Sequence, residues 1–274
     1  MKKILVPTDF SEQAENALRV AAQLAKKHEG EIYLLHMLEL PLHQVDALSQ
    51  HSELPEAVFF MKLAHKRFDE VMAKDFLQDV TVHETVEFHQ SLDVLIETSK
   101  VKKIDLIVMG SHGASGFKEM FIGSNTEKVV RTSDIPVLVI KNVHEDFEVN
   151  DFVFASDFNK KNLSTYKKAA KIAKSFDAKM HLVMVNTPNN FMTTEEANQR
   201  IAEFTKGYSF DNFTTSIYND ESVELGILNF SKSIDADLIG ISTHGRQGIS
   251  HFFNGSISED LVNHSNRPVM TFKI

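Results

Sequence analysis

Residues 109–127, MGSHGASGFKEMFIGSNTE, recur in altered form as residues 241–259, ISTHGRQGISHFFNGSISE. Each copy follows an apolar run (Ile104 to Met109; Leu238 to Ile241) and precedes a helical stretch and a run opened by Pro136 or Pro268. The likeness extends outward. Lys3 to Asp9 answers to Phe152 to Asp157, and Ile32 to Met37 answers to Met180 to Val185. Early landmarks are offset by 148 residues (Asp9 to Asp157) and late ones by 132 (Gly113 to Gly245, Gly123 to Gly255), so the second half is 16 residues shorter. The loss falls between its second and fourth strands. Landmarks in one order mean two copies of one domain, and 274 residues give each copy enough chain to bury its own core.

Within copy one, strand-like runs (Ile4 to Pro7, Glu31 to Leu38, Val80 to Phe88, Ile104 to Met109, Val137 to Ile140) alternate with helical segments (Ser11 to Lys27, Leu54 to Lys74, Leu92 to Val101, Ser124 to Thr132). Copy two repeats the pattern, with strands near Phe152 to Ala155, Lys179 to Val185, Phe213 to Tyr218, Leu238 to Ile241 and Val269 to Phe272. Such alternation predicts an α/β fold with a parallel sheet covered on both faces. The expectation is two tandem doubly wound, Rossmann-like domains, residues 1–145 and 146–274. Each holds a five-stranded, mainly parallel sheet of order 3-2-1-4-5. The first helix carries Ala14, Ala17, Ala21, Ala22 and Ala25, which lets it approach a sheet closely. Asn142 to Asn150 is acidic and without periodicity, and reads as the linker. Leu38 to Phe60, with Pro41 and Pro55, reads as a surface connection, a lid or an interaction loop.

The repeated piece is a Gly-rich loop between a strand and a helix. It places bare backbone N–H groups at a helix N-terminus, an arrangement suited to an anion such as phosphate. Ligands of doubly wound sheets bind beyond the carboxyl ends of the strands, where strand order reverses. Strands one and four flank that point, so Asp9 and the loop from Gly110 to Gly113 face one crevice, with Met37 ending strand two. Ser124-x-x-Glu127 reads as a capping box opening the next helix. Phosphates can bind the N–H groups of Gly113, Gly123, Ser124 and Asn125, with lysine or a divalent metal neutralising the remaining charge.

Gly110-x-x-Gly113, nine residues, then Gly123-Ser124, together with Pro7-Thr8-Asp9 after strand one, resembles the ATP-binding signature of the universal stress protein family. Both copies carry the pattern, so the whole chain resembles a tandem member. The resemblance implies ATP or another adenine nucleotide, with Mg2+ or Mn2+. Asp9, Met37 and Met109 would surround the adenosine, Pro7 and Thr8 belonging to the same turn. Gly110, Gly113, Gly123, Ser124 and Asn125 would take ribose and phosphates. It also implies a stress-response switch or adaptor acting on an unknown protein partner. The last strands, Val137 to Ile140 and Val269 to Phe272, would pair as sheet edges into an intramolecular pseudo-dimer, with a homodimer as a further option. Lys141 and Lys273 flank these strands and would limit further edge growth.

Copy two keeps Asp157, Gly245, Gly255 and Ser256, and Ser256-x-x-Glu259 repeats the capping box. Ser242 replaces the first glycine, Ala155 replaces Pro7, Ser156 replaces Thr8, and Val185 stands at the Met37 position. If position 242 needs φ > 0 or close approach to ribose, a side chain there strains the loop or narrows the pocket. His244 and Arg246 add positive charge beside the phosphate path. The expected second site (Asp157, Val185, Gly245, Gly255, Ser256) is the weaker one. Structural readings stand beside these: glycines shaping a tight turn, Asp9 capping the N–H groups of Ser11 and Glu12, and Met37 and Met109 filling core.

A net charge of -9 gives no electrostatic footprint for nucleic acid, and no apolar run approaches a membrane span. The absence of cysteine excludes a disulfide framework and a thiol nucleophile. The apolar run after Lys2 and Lys3 ends at Asp9, too soon for a signal-peptide core, so a cytoplasmic address is expected. His36, His43, His51, His65, His83 and His89 form no H-x-x-x-H or H-E-x-x-H pair. No P-loop, G-x-G-x-x-G or G-x-S-x-G occurs, and no general base is evident. The rival readings are an ATP-independent interaction or scaffold protein, and an ATP-dependent amidating enzyme. The latter expects a Ser/Gly-rich loop near Pro7, and Pro7-Thr-Asp-Phe-Ser11 contains no glycine.

Overall fold

The structure is a computed structural model that describes residues 1–38, 54–87, 93–111, 123–206, 210–243 and 255–274. Copy one comprises β1 (Lys3–Pro7), α1 (Glu12–His28), β2 (Glu31–Met37), α2 (Leu54–Met72), β3 (Thr81–Glu87), α3 (Asp93–Val101), β4 (Leu106–Gly110), α4 (Ser124–Thr132) and β5 (Val137–Ile140). Copy two comprises β6 (Asp151–Ala155), α5 (Leu163–Phe176), β7 (Lys179–Asn186), α6 (Thr194–Thr205), β8 (Phe213–Asn219), α7 (Val223–Ser233), β9 (Leu238–Thr243), α8 (Gly255–His264) and β10 (Val269–Lys273). The shortening of copy two falls in one connection, residues 187–212 standing for residues 39–80 of copy one. Most of the long Leu38 to Phe60 connection, residues 39–53, lies outside the described residues.

All ten strands form one sheet, in the order β3-β2-β1-β4-β5-β10-β9-β6-β7-β8. Each half has the expected 3-2-1-4-5 order, and its pairings are parallel. The halves join where β5 runs antiparallel to β10, with Val139 opposite Val269, Leu138 opposite Met270 and Val137 opposite Thr271. Strand side chains alternate between faces, and both faces are apolar. Ile4, Val6, Val108, Leu138, Phe154 and Met270 belong to one layer, with Leu18 of α1 and Tyr166 of α5. Leu5, Ile107, Val139, Val153 and Val269 belong to the other, with Val129 of α4 and Leu261 of α8. Each layer runs unbroken through both copies, so the pseudo-dimer shares its cores.

The linker is pinned rather than slack. Phe147 and Val149 are buried in the first layer, and the Phe147 ring lies 6.2 Å from Phe176 of α5. Gln23 of α1 donates to the His144 carbonyl at 2.8 Å and accepts the Phe147 N–H at 2.6 Å. Two ordered hydrogen bonds and a buried ring are why an acidic, aperiodic sequence still takes one path.

Lys141 and Lys273 do not serve as edge blockers, because the edges are already consumed by each other. Lys141 instead donates across the junction to the Asn263 carbonyl in the last turn of α8. Lys273 donates to the Thr132 carbonyl that ends α4, at 3.0 Å, and pairs with Asp134 at 2.9 Å. Such carbonyls lack intrahelical partners and carry the negative end of the helix dipole, so a cation stabilises them.

Val139 is 1% exposed at the junction. Val139→Lys should cost ~3–5 kcal/mol by burying an uncompensated ammonium, read as a lower denaturant midpoint. Burial pushes the Lys141 ammonium down to about 8 from an ordinary 10.5. The unfolded chain then binds more protons than the folded one between those values, so this group adds stability as pH rises from about 8 towards 10.5. The stability of the wild type relative to Lys141→Gln should therefore increase over that range in denaturant titrations.

Candidate functional site

The carboxyl ends of β1, β2 and β4 lie side by side at one end of copy one. Pro7 ends β1, and Thr8 extends its ladder by donating its N–H to the Leu35 carbonyl at 2.8 Å. The chain then turns sharply. The Thr8 hydroxyl accepts the Phe10 N–H at 3.0 Å, Asp9 Oδ1 accepts the Ser11 N–H at 3.0 Å, and Ser11 caps α1 by accepting from Ala14 at 3.2 Å. Phe10 sits at φ 62°, a left-handed conformation costly for an aromatic residue. Its ring is held by His36 (4.6 Å between centroids) and Phe68 (5.2 Å). His36 Nδ1 donates to the Thr8 carbonyl at 2.8 Å, which fixes the imidazole tautomer and the turn together. Asp9 is exposed at the top of this turn. Its local capping role goes to Ser11, not to Glu12.

At the end of β4, Gly110 abuts the first turn of α1. A Cβ there would lie 2.7 Å from the Gln13 carbonyl oxygen, a fixed backbone atom. The glycine is required by helix-to-strand contact, and its φ is not left-handed. Two bonds seat α4 on this strand end: Gly123 N–H to the Ser111 carbonyl at 2.7 Å, and the Thr126 hydroxyl to the Gly110 carbonyl at 2.9 Å. The capping-box expectation fails here. Gly123, not Ser124, is the N-cap of α4, and among the described residues no side chain caps the helix. Ser124 and Asn125 are its first two residues. Gly123 has φ -60° and ψ 140°, a conformation open to any residue, so the backbone itself does not demand glycine.

Met37 is half-buried at the end of β2, opposite Glu87 of β3. Met109 is almost fully buried, in the same apolar layer as Leu5 and Val139. The structure thus gathers Thr8, Asp9, Met37, Gly110, Gly123, Ser124 and Asn125 around one end of the sheet. Gly113, Gly245, His244 and Arg246 lie outside the described residues. Among the described residues no group of three His, Asp or Glu side chains could hold a metal ion. The histidines have other partners: His83 meets Glu31 at 2.8 Å and His65 meets Glu84 at 3.4 Å. His43, His51 and His89 are outside the described residues.

Copy two repeats the backbone and changes the filling. Phe158 sits at φ 51°, Ser156 accepts its N–H at 3.0 Å, and Asp157 Oδ1 accepts from Asn159 N–H (2.9 Å) and the Asn162 side chain (2.6 Å). The substitution of Thr8 by Ser156 therefore preserves the hydroxyl's task. Met184 occupies the place of His36, so the imidazole clamp is gone.

Ser242 overturns the strain argument. Its φ is not left-handed, it is 1% exposed, and its hydroxyl meets Thr165 Oγ1 at 2.7 Å. Thr165 spends its own proton on the Asn162 carbonyl at 2.7 Å, so Ser242 is the donor. A side chain fits because a short 3-10 turn, Lys160–Asn162, replaces the first turn of the facing helix, and α5 starts only at Leu163. Likewise α8 begins at Gly255, which puts Ser256 inside its first turn instead of at the cap.

A cavity of about 30 Å³ opens at the ends of β6 and β7, lined among others by Ser156, Asp157, Met184, Val185, Met192 and Arg200. That is room for about two waters. Val185 also closes on α7, where a Cβ at Gly226 would meet its Cγ1 at 2.4 Å. Sequence reasoning missed Phe10, His36, Gln13, Thr165 and Arg200. Only Thr165 left a signal, a polar residue at the position of Ala17 on the buried helix face.

Gly110→Ala should cost ~1–3 kcal/mol through overpacking against Gln13. Ser242→Gly, far from relieving strain, should cost ~1–2 kcal/mol by removing a buried hydrogen bond. Thermal or denaturant unfolding of the two variants checks both signs.

A profile of the universal stress protein family matches residues 1–141 and again 149–273. A universal stress protein of Methanocaldococcus jannaschii is 34% identical over 153 residues, covering 51% of this chain and 94% of that protein. Another, from Synechocystis, is 23% identical over 298 aligned positions and covers 100% of both chains. The crystal structure of a universal stress protein from Archaeoglobus fulgidus shares the fold, with a TM-score of 0.71 at 24% identity, over 99% of this chain and 98% of that one. With the family pattern matched once in each half and the fold shared from end to end, the chain belongs to the universal stress protein family.

Proposed function

We propose that the chain binds ATP or another adenine nucleotide, with Mg2+ or Mn2+, mainly in copy one (residues 1–145). It acts as a cytoplasmic stress-response switch or adaptor whose occupancy alters recognition of a protein partner. The observation that carries this reading is the start of α4. Gly123 offers no capping oxygen at a position whose φ of -60° admits any residue. Among the described residues the N–H groups of Ser124 and Asn125 thus stand without a side-chain cap at the positive end of a helix, where phosphate binds well. Asp9, exposed beyond β1, supplies a carboxylate for ribose or adenine donors, and half-buried Met37 supplies an apolar wall.

Copy two (residues 146–274) fits a nucleotide less well. Asp157 Oδ1 accepts from two donors, and Val185 is packed against Gly226. Those same features favour the second reading, an ATP-independent scaffold, for that half. Among the described residues no helix is long and apolar enough to cross a membrane.

Denaturing the purified protein and assaying the supernatant for adenine nucleotide separates the two readings. Calorimetry with ATP and Mg2+ should show one tighter site that Gly123→Val abolishes while the variant keeps its fold, since φ at 123 tolerates a side chain. Unchanged binding in that variant would sink the assignment.

A further inference from the structure

The helices that follow the two glycine loops are α4 and α8. Each starts at the carboxyl end of its own copy's sheet and runs back along it. Because β5 and β10 are antiparallel, the carboxyl end of one copy's last strand lies beside the far end of the other copy's helix. Lys273, the last residue of β10, stands in register with Thr243, the last described residue before copy two's loop. The Ile274 N–H bonds the Thr243 carbonyl at 3.1 Å. From that position Lys273 donates to the Thr132 carbonyl ending α4, and the Thr243 hydroxyl reaches the Val130 carbonyl of the same helix at 3.5 Å. The reciprocal arm is built alike. Gly110 pairs with Ile140, and Ser111 N–H bonds the Ile140 carbonyl at 3.0 Å. The next residue, Lys141, donates to the Asn263 carbonyl in the last turn of α8.

We propose that these crossed lysines couple the two copies: each is rooted beside the end of one copy's fourth strand, β4 or β9, and holds the last turn of the other copy's helix, α8 or α4. A displacement at one strand end thereby changes the order of the other copy's helix, and with it the anion affinity at that helix's N-terminus. The sign is cooperative. A cation at the C-terminus and an anion at the N-terminus both stabilise the same aligned helix. The arms are unequal. Lys273 is braced by Asp134, which Lys100 also grips at 3.4 Å, whereas among the described residues Lys141 forms no ion pair. The Lys273 arm is therefore the more rigid transmitter. The affinity effect rests on the nucleotide reading above, and the effect on helix order does not.

The test is amide hydrogen exchange on the full-length, ligand-free protein. Lys273→Met, a change in copy two, should speed exchange in α4 of copy one by about twofold to tenfold while sparing α8. Lys141→Met should do the reverse, more weakly, and Lys273→Arg should restore protection. Equal acceleration in both helices, or acceleration confined to the substituted copy, overturns the coupling. Titration with ATP and Mg2+ forms the second arm, where Lys273→Met should weaken copy-one binding by about twofold to tenfold. Unchanged affinity in that variant also counts against the proposal. A wild-type protein that binds no nucleotide removes the nucleotide reading alone, and the exchange pattern then still decides the coupling.

Discussion

The antiparallel pairing of β5 with β10 sets the terms for everything else in this molecule. A four-residue apolar strand, buried along its whole length, cannot end a sheet in water without leaving its N–H and C=O groups as a template for other chains. Pairing it with its own counterpart removes both edges at once and merges the apolar layers of the two halves. The linker follows from the same constraint. It must carry the chain from the end of β5 to the start of β6, three strands away in the sheet order, and it does so bound to Gln23 and buried at Phe147 and Val149.

The two copies show which features of the domain are fixed by backbone geometry and which are matters of filling. Left-handed residues recur at equivalent places: Phe10 and Phe158, Glu29 and Asp177, Lys103 and Asp235. Three pairs of non-glycine residues in the same costly region mean that the turn after β1, the end of α1 and the turn before β4 have kept their paths. Side-chain volume has moved freely around them. Gly110 against the Gln13 backbone becomes Ser242 bonded to Thr165, and space that a Cβ at Gly240 would need is taken by the Phe152 ring. A glycine lost from a motif is therefore no measure of strain until the facing element is known.

The sequence made the fold legible because period-two and helical patterns, proline-opened strands and the duplicated landmarks all pointed one way. The strand–helix alternation and the place of the deletion came from those patterns, and the edge pairing from the family resemblance. The site was legible only at its backbone positions. Ser124-x-x-Glu127 matched a capping box, but the hydrogen bond from Gly123 to Ser111 starts the helix one residue earlier than that pattern requires. The His36 clamp on Thr8 and the crossed lysines were invisible, since each joins residues far apart in sequence whose partner is a carbonyl. Any residue offers a carbonyl, so composition cannot flag it.

Geometry also limits how the halves can cooperate. In each half the crevice lies at the carboxyl ends of the strands, and the antiparallel junction turns those ends in opposite directions along one sheet. Among the described residues the two crevices therefore stand at opposite ends of the strands. What the halves do share at the level of the sites is the far end of each loop helix, reached by Lys141 and Lys273. A change in copy two can therefore reach copy one's loop helix directly, through an ammonium on its last turn. With Asp157, Val185 and Ser242 committed to internal contacts, copy two holds Thr243 and Lys273 in a settled position.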